Sequence, residues 1–303
     1  MRIGEQPPPG IIQQNSAFGK SPFRPLAFKF RFAEPPRQIE TCPIARRFFC
    51  VAFRDFMVYY ISILTKQNSI LRGESLKRSE INKALKELEA MCQKHCCYLP
   101  PFCHFTPEKW QELGHEYDEV RHCMLGWDIT DYGLGNFDKF GFSLITIRNG
   151  NRSMPDKYPK VYAEKLLYLK EGQYAPNHFH WFKTEDIINR GGGNVLIKVY
   201  NSLPNEEIDY ESDVTVHTDG RTYTVPAGSV IRLTPGESIH VQQYMYHDFS
   251  VEEGTGPVLL GEVSQCNDDN TDNRFNPPVG RFPTIEEDEA PYRLLCNEYP
   301  PAK

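Results

Sequence analysis

The sequence predicts a mainly β protein, an antiparallel jelly roll with packing helices on its N-terminal side. From residue 142 onward, short runs of β-branched and aromatic residues alternate with Gly, Pro, Asn and Asp, as in a sandwich or barrel. Asp219-Gly220 separates VTVHT from RTYTV, which is a strong signal for a two-residue hairpin turn. Helical segments do not alternate with these runs, so a doubly wound parallel sheet is not expected.

Eight strands are predicted from these runs. They are Phe142 to Ile147, Lys165 to Leu169, Val195 to Val199, Val214 to His217, Arg221 to Val225, Val230 to Leu233, Ile239 to Gln243 and Val258 to Val263.

Two helices are predicted ahead of the strands. Apolar residues recur every three or four positions over residues 80 to 95, with Ser79 as a candidate N-cap. A second helix is predicted to start at Thr106, because Pro107 suits the first helical position. The segment LGWDITDYGLGN, residues 125 to 136, is rich in Gly and Asp and is predicted to be a loop.

Residues 1 to 75 differ in charge from the rest of the chain. They carry eleven Lys and Arg against five Asp and Glu, whereas residues 76 to 303 carry 23 against 35. Arg72, Gly73 and Glu74 can be encoded by a purine run that resembles a ribosome-binding site, just ahead of a possible start at Leu76. We therefore expect residues 1–75 to be a non-native or disordered leader, and residues 76–303 to form the working domain.

The composition of the chain indicates its cellular compartment and argues against some classes of binding partner. An odd number of cysteines, nine, without a C-x-x-C pair or a secretory segment indicates a reducing cytoplasm. The aromatic run from Phe48 to Tyr60 is too short and too charged to span a membrane. The acidic balance of residues 76–303 argues against nucleic acid as a partner.

The segment GQYAPNHFHWFKTEDIINRGG, residues 172 to 192, contains a candidate metal site. His178 and His180 are two apart, so their imidazoles share one face if the segment is extended. Glu185 can join them if the chain turns after Trp181. Such a site needs a fourth donor, and His240 and His247 are the main candidates, with His217 a more distant one. Each histidine taken singly is more often a surface or core residue.

Several of these strings together resemble a known family. The pattern G-x5-H-x-H-x4-E-x6-G, from Gly172 to Gly192, matches the first cupin motif, and PG followed by YHDF resembles the second. The strings HFHWFKTEDIINRGGG, LTPGES, GEVSQCNDDNTDNRF and VGRFPTIEEDE resemble the D-lyxose isomerases of the cupin superfamily. The resemblance covers the chain from about Leu76 to Pro301.

This resemblance implies a cupin jelly-roll barrel and a metal-dependent aldose–ketose isomerase. Such an enzyme interconverts D-lyxose with D-xylulose, and D-mannose with D-fructose, through a metal-stabilised enediolate. The resemblance further implies manganese, a homodimer, and metal ligation by His178, His180, Glu185 and His247. His240 remains an alternative fourth ligand.

Isomerisation also needs a base that is not bound to the metal. Glu262 is the candidate, because it is a lone carboxylate in the apolar strand VLLGEVS, although an outward-facing Glu262 is the competing interpretation. Lys183 is a candidate catalytic and substrate-binding residue that could donate to a sugar oxygen or instead extend into water. Asp272, in the polar loop after the Glu262 strand, is a candidate substrate contact, and a solvated acidic loop is the alternative.

Two other functions fit the same pattern. Three histidines and a glutamate also suit a cupin dioxygenase that uses iron. A sugar-sensing cupin could keep the barrel and lack the base. The carboxylates of the loop favour a polyol over an aromatic substrate.

Overall fold

The computed structural model describes residues 75–303. The predicted leader therefore lies outside the described residues, except for Ser75. No helix within the described range is long and apolar enough to cross a membrane.

The described part of the chain is mainly β, as predicted. It contains four α-helices and two short 3-10 helices, Pro101–His104 and His115–Tyr117. The α-helices are α1 (Arg78–Lys94), α2 (Pro107–Trp110), α3 (Asp118–His122) and α4 (Phe137–Phe140). The strands are β1 (Leu76–Lys77), β2 (Gly126–Thr130), β3 (Phe142–Arg148), β4 (Tyr162–Leu169), β5 (Tyr174–Phe179), β6 (Glu185–Gly192), β7 (Val195–Ser202), β8 (Ile208–Asp209), β9 (Val214–Thr218), β10 (Arg221–Val225), β11 (Val230–Leu233), β12 (Ser238–Val241), β13 (Tyr246–Val251), β14 (Val258–Gln265), β15 (Arg274–Phe275) and β16 (Ile285–Glu286).

Two antiparallel sheets form the barrel. The larger sheet has the order β10-β9-β12-β6-β14-β4-β3-β2, and the smaller has the order β11-β7-β13-β5-β15. Their facing side chains make one hydrophobic core, to which Leu144, Leu167 and Leu260 contribute from the large sheet and Ile197 and Phe249 from the small one. Because side chains alternate along each strand, β4 and β14 turn every second residue toward this core. The predicted jelly roll is confirmed.

Helix α1 covers the outer face of the large sheet. Its predicted apolar stripe is buried and packs with Trp127, Ile145 and Leu259. The helix begins at Arg78, so the prediction of Ser79 as N-cap is wrong. Ser79 lies in the first turn, where its backbone N–H and its hydroxyl both donate to Asp288, at 2.9 and 2.6 Å.

The predicted loop at residues 125 to 136 contains a buried strand. All five residues of β2 are buried and pair with β3. Trp127 and Ile129 face α1, while Asp128 forms an ion pair with Arg281. The prediction of a loop fails because the sequence alone does not show that Asp128 has a buried ion-pair partner, and an Asp without one is typical of a loop.

The predicted set of strands also omits three other strands of more than two residues, β5, β6 and β13.

The hairpin between β9 and β10 is confirmed. Thr218 pairs with Arg221 across the two-residue turn. Asp219 and Gly220 both have positive φ, 47° and 79°, as a type I′ turn requires.

Candidate metal centre and active site

Three histidines meet inside the barrel because of strand register. His178 on β5 lies directly opposite His247 on β13, and His180 follows the end of β5. The ring centroid of His178 lies 4.3 Å from that of His247 and 5.0 Å from that of His180. One ligand atom from each of the three histidines lies within 4.8 Å of the other two, which is close enough for the three to share a metal ion. Among the described residues, 75–303, this is the group of His, Cys, Asp or Glu side chains that meets this condition.

Backbone carbonyls hold each imidazole in a ligand orientation. Nδ1 of His178, His180 and His247 lies 2.8, 2.8 and 2.9 Å from the carbonyl oxygens of Pro176, Asp272 and Met245. A carbonyl can only accept, so each Nδ1 carries a proton, and a metal would bind at Nε2. Metal-bound histidines commonly have this arrangement. Burial lowers the pKa of His178 and of His180, which keeps both rings neutral.

Glu185 lies beside two of the three histidines. The chain turns after Trp181, and β6 begins at Glu185. Its Oε1 lies 3.3 Å from His247 Nε2 and its Oε2 lies 3.4 Å from His180 Nε2. Both Nε2 atoms are buried without a hydrogen-bond partner. Lone pairs that face a buried carboxylate repel it unless a cation lies between them, so these residues fit a divalent metal.

Lys183 links Glu185 to Glu262. Its Nζ lies 2.7 Å from Glu185 Oε2, as an ion pair, and donates to Glu262 Oε1 at 2.9 Å. Burial lowers the pKa of Lys183, but the carboxylates of Glu185, Glu262 and Asp269 outweigh that effect and leave it raised. Burial likewise raises the pKa of Glu185, but Lys183 and His180 hold it well below its usual range.

Glu262 faces the interior of the barrel. It lies opposite Lys165 on β4, on the face of β14 that also carries Leu260, and is 5% exposed. Its Oε1 lies 3.4 Å from Lys165 Nζ, so both lysine contacts fall on the same oxygen. The structure therefore places Glu262 in the cavity that His178 and His180 also line, and not on the outer face.

Sequence reasoning missed Lys165 and Arg281, and within the polar loop it favoured Asp272 over Asp269. Lys165 contacts Asp269 at 3.5 Å, and Arg281 contacts Asp269 at 3.1 Å. Burial raises the pKa of Asp269, but Lys165 and Arg281 hold it well below its usual range. The signal for Lys165 was available, because it shares an inner face with Leu167 and Leu169, as Glu262 does with Leu260. Arg281 carried no such signal, because it follows the strands on an irregular segment.

These groups line one cavity, and its polar and apolar lining residues are called here the polar wall and the apolar wall. The polar wall consists of His178, His180, Lys183, Glu185, Lys165, Glu262, Asp269, Asn273 and Arg281. The apolar wall consists of Tyr132, Phe142, Leu144, Leu167, Ala175, Phe249 and Phe275. Hydroxyl groups of a small polyol can bond to the first wall while its C–H bonds contact the second.

Asp272 lies beneath this cavity and is 1% exposed. Its Oδ1 and Oδ2 accept hydrogen bonds from the backbone N–H groups of Phe182 and Lys183, at 2.8 and 3.1 Å. It is not among the residues that line the cavity. Asp269, three positions earlier, occupies the cavity wall instead.

His240 and His217 lie outside the metal cluster. His240 pairs with Asp186 across β12 and β6, so it faces away from Glu185, and its Nδ1 lies 2.7 Å from Asp186 Oδ1. His217 lies opposite His240 and contacts Thr222. Of the three candidate fourth donors, the structure brings only His247 into the cluster.

The fold and the site define a mainly β, jelly-roll protein with three histidines that could hold a metal. The chain belongs to the D-lyxose isomerase family, whose model matches residues 76–299.

Two relatives agree with this assignment. D-lyxose/D-mannose isomerases from Escherichia coli O157:H7 and Serratia proteamaculans are each 46% identical to this chain, covering 74% of it and 98% of each relative. Among solved structures, a variant L-ribose isomerase of Acinetobacter sp. DL28 in complex with L-ribose aligns with a TM-score of 0.48 and 16% identity, over 71% of this chain and 100% of that chain.

Proposed function

We propose that this protein is a metal-dependent ketol-isomerase that interconverts D-lyxose with D-xylulose and D-mannose with D-fructose. The observation that carries the proposal is the 46% identity to D-lyxose/D-mannose isomerases over nearly their whole length. The cavity supports it, because a candidate base, Glu262, and a candidate metal cluster share its polar wall. A buried base also favours an enzyme over a sugar sensor that lacks one.

His178, His180, Glu185 and His247 would hold the metal. The buried charges around them support a divalent ion. Lys165, Lys183 and Arg281 lie among four carboxylates, those of Glu185, Glu262, Asp269 and Asp128, which leaves one uncompensated negative charge. When bound, a divalent metal would supply positive charge that stabilises negative charge on sugar oxygens O1 and O2. The family resemblance favours manganese, and ligand chemistry also admits iron, cobalt and zinc.

Glu262 would move the proton between the two sugar carbons. Its carboxylate removes the proton from C2, the electron pair of that bond forms the C1–C2 double bond, and the carbonyl electron pair at C1 moves to O1, which takes up the proton that O2 releases. The electron pair left on O2 then forms the C2 carbonyl, and the C1–C2 double bond takes the proton back from Glu262 at C1. Oε2 is the oxygen we assign to this transfer, because both lysine contacts fall on Oε1.

Lys183 and Lys165 would orient the base. Their ammonium groups flank Glu262 Oε1 and both donate to Asn267 Oδ1, at 3.1 and 2.8 Å. A base that is already held in the reacting geometry lowers the entropic part of the activation free energy. Small displacements of the base therefore lower the rate strongly. Asp269 and Asn273, on the same wall, are suited to accept and donate hydrogen bonds to sugar hydroxyls.

An anaerobic assay of metal-stripped protein tests the proposal. D-lyxose and D-mannose are supplied with manganese, iron, cobalt or zinc added back separately, and ketose formation is followed. We expect turnover of both aldoses, fastest with manganese. Turnover of neither aldose with any metal would refute the isomerase, and activity that requires dioxygen would indicate a dioxygenase.

We further propose that residues 76–303 form the sugar isomerase domain and that it works as a cytoplasmic homodimer. The family model matches residues 76–299, and the matches to the two relatives are 226 and 225 residues long, about the length of this range. A protein that lacks residues 1–75 should equal the full chain in kcat and KM. Loss of soluble folded protein would show that the leader has a structural role. Sedimentation equilibrium of both forms tests the dimer.

A further inference from the structure

We propose that Asp272 is a positioning residue that sets the geometry of Lys183 and His180, and that it does not bind the sugar. The inference deepens the proposed function and depends on it for its kinetic tests. Asp272 makes three hydrogen bonds to a single turn of the chain, and both ends of that turn carry site residues.

The first end of the turn is His180. Its Nδ1–H donates to the backbone carbonyl of Asp272 at 2.8 Å. This bond fixes the ring so that Nε2 points at Glu185, 3.4 Å away. The acceptor is a main-chain oxygen, so it persists when the side chain of residue 272 is replaced.

The second end of the turn is Lys183. The carboxylate of Asp272 accepts the backbone N–H groups of Phe182 and Lys183, one on each oxygen. The side chain of Lys183 is then directed between Glu185 and Glu262, at 2.7 and 2.9 Å. A shift of this backbone would displace the ammonium from both carboxylates at once.

The environment of Asp272 leaves no role in direct sugar contact. The residue is 1% exposed and absent from the cavity wall. Arg152 closes the outer side: its guanidinium lies 3.9 Å from the ring centroid of Phe182 and 4.0 Å from Asp272 Oδ2. Both carboxylate oxygens already face protein donors, whereas a sugar hydroxyl would need an oxygen that is open to the cavity.

Asp272→Asn is the sharpest variant, because it is nearly isosteric and affects one bond selectively. The amide oxygen can still accept from Phe182, but the NH2 group cannot accept from Lys183. Metal content at saturating metal should stay unchanged, because the carbonyl that holds His180 remains. We expect kcat to fall by roughly 10- to 100-fold with little change in KM, the signature of lost positioning.

A double-mutant cycle with Lys183→Met distinguishes positioning from a general loss of stability. If Asp272 acts through Lys183, then Asp272→Asn in the Lys183→Met background should lower kcat by less than about twofold further. Multiplicative losses would show that Asp272 acts independently of Lys183 and would overturn the inference. A raised KM with unchanged kcat would instead establish a sugar contact.

Asp209→Asn is the matched control. Asp209 also accepts two backbone N–H groups, those of Glu211 and Ser212, in a turn outside the cavity. It should leave kcat unchanged.

Amide hydrogen exchange tests the contact without turnover. Asp272→Asn should accelerate exchange at Lys183, and Asp209→Asn should not. Unchanged exchange at Lys183 would refute the inference. Absence of isomerisation by the wild-type protein would refute the proposed function while leaving this measurement valid.

Discussion

Lys183 Nζ donates to Glu262 Oε1 at 2.9 Å, although 79 positions separate the two residues in sequence. Lys183 lies in the turn between β5 and β6, and Glu262 lies within β14, which pairs with β6. The same ammonium contacts Glu185. A candidate metal ligand and a candidate base are therefore coupled through one cation, so a change in either carboxylate alters the electrostatic environment of the other.

His178→Ala, His180→Ala and Glu185→Gln should each abolish stoichiometric metal binding and turnover. The folded β-sheet signal should remain, because the core between the sheets does not depend on these side chains. Metal analysis after dialysis and circular dichroism provide the two measurements. His240→Ala is the control, because His240 faces outward toward Asp186 and should retain both metal and activity. Stoichiometric metal in all three site variants would place the metal elsewhere.

The sequence predicted the strands that are runs of β-branched and aromatic residues, and it failed at strands such as β2 and β6, whose runs are broken by polar residues such as Asp128 and Asn189. Strand β2 was missed because α1 covers one of its faces and the ion pair of Asp128 with Arg281 lies on the other. The first three site donors were predicted because H-x-H and Glu185 are close in sequence. From the spacing of residues alone, His247 was one of three candidates for the fourth metal ligand. The register between β5 and β13 places it opposite His178. That register depends on contacts across the whole barrel, which a local pattern does not contain.

Leu85→Ala should destabilise the protein without changing the chemistry. Leu85 is fully buried where α1 packs on the large sheet, away from the cavity. Removing this side chain loses transfer free energy and leaves a cavity, at a cost of about 2–5 kcal/mol in the free energy of unfolding. Urea denaturation measures it. Gln93→Ala, an exposed change on the same helix, should stay within about 0.5 kcal/mol. Equal stabilities of the two variants would contradict this packing.

Ionised Asp269 should contribute to the free energy of unfolding, and this contribution should be lost at acid pH. Lys165 and Arg281 hold the pKa of its folded form well below the unfolded value. A lowered folded pKa gives stabilisation that is fully present above the unfolded pKa, about 3.9, and is lost as the pH falls through the folded pKa. The difference in unfolding free energy between wild type and Asp269→Asn should therefore shrink below about pH 4.

Denaturation of metal-free protein at a series of pH values measures this difference. At neutral pH we expect Asp269→Asn to cost about 1–3 kcal/mol, because charged donors lose their partner. Asp156→Asn, at an exposed aspartate, should give a small difference that does not vary with pH. A pH-independent cost at Asp269 would show that its ion pairs do not contribute to stability.

Glu262→Gln separates the base from the metal ligands. The variant should retain metal, because Glu262 is not one of the four proposed donors, and should bind sugar with similar affinity, because the amide is nearly isosteric. General-base catalysis contributes roughly 10²- to 10⁴-fold, so kcat should fall by that order. Asp186→Asn is the carboxylate control, because Asp186 points outward from the neighbouring strand and should not affect the rate.

Solvent exchange then tests the proton transfer itself. In heavy water the wild-type protein should place deuterium at C1 of the ketose or C2 of the aldose, because the proton on Glu262 exchanges with solvent before it is returned. The variant should lose this incorporation together with its turnover. Unchanged kcat in Glu262→Gln would move the base to another group on the polar wall, with Asp269 the nearest alternative by its contact with Lys165. Wild-type turnover without solvent deuterium would instead indicate hydride transfer between C1 and C2, in which the carbon-bound hydrogen never becomes a proton and no carboxylate base is required.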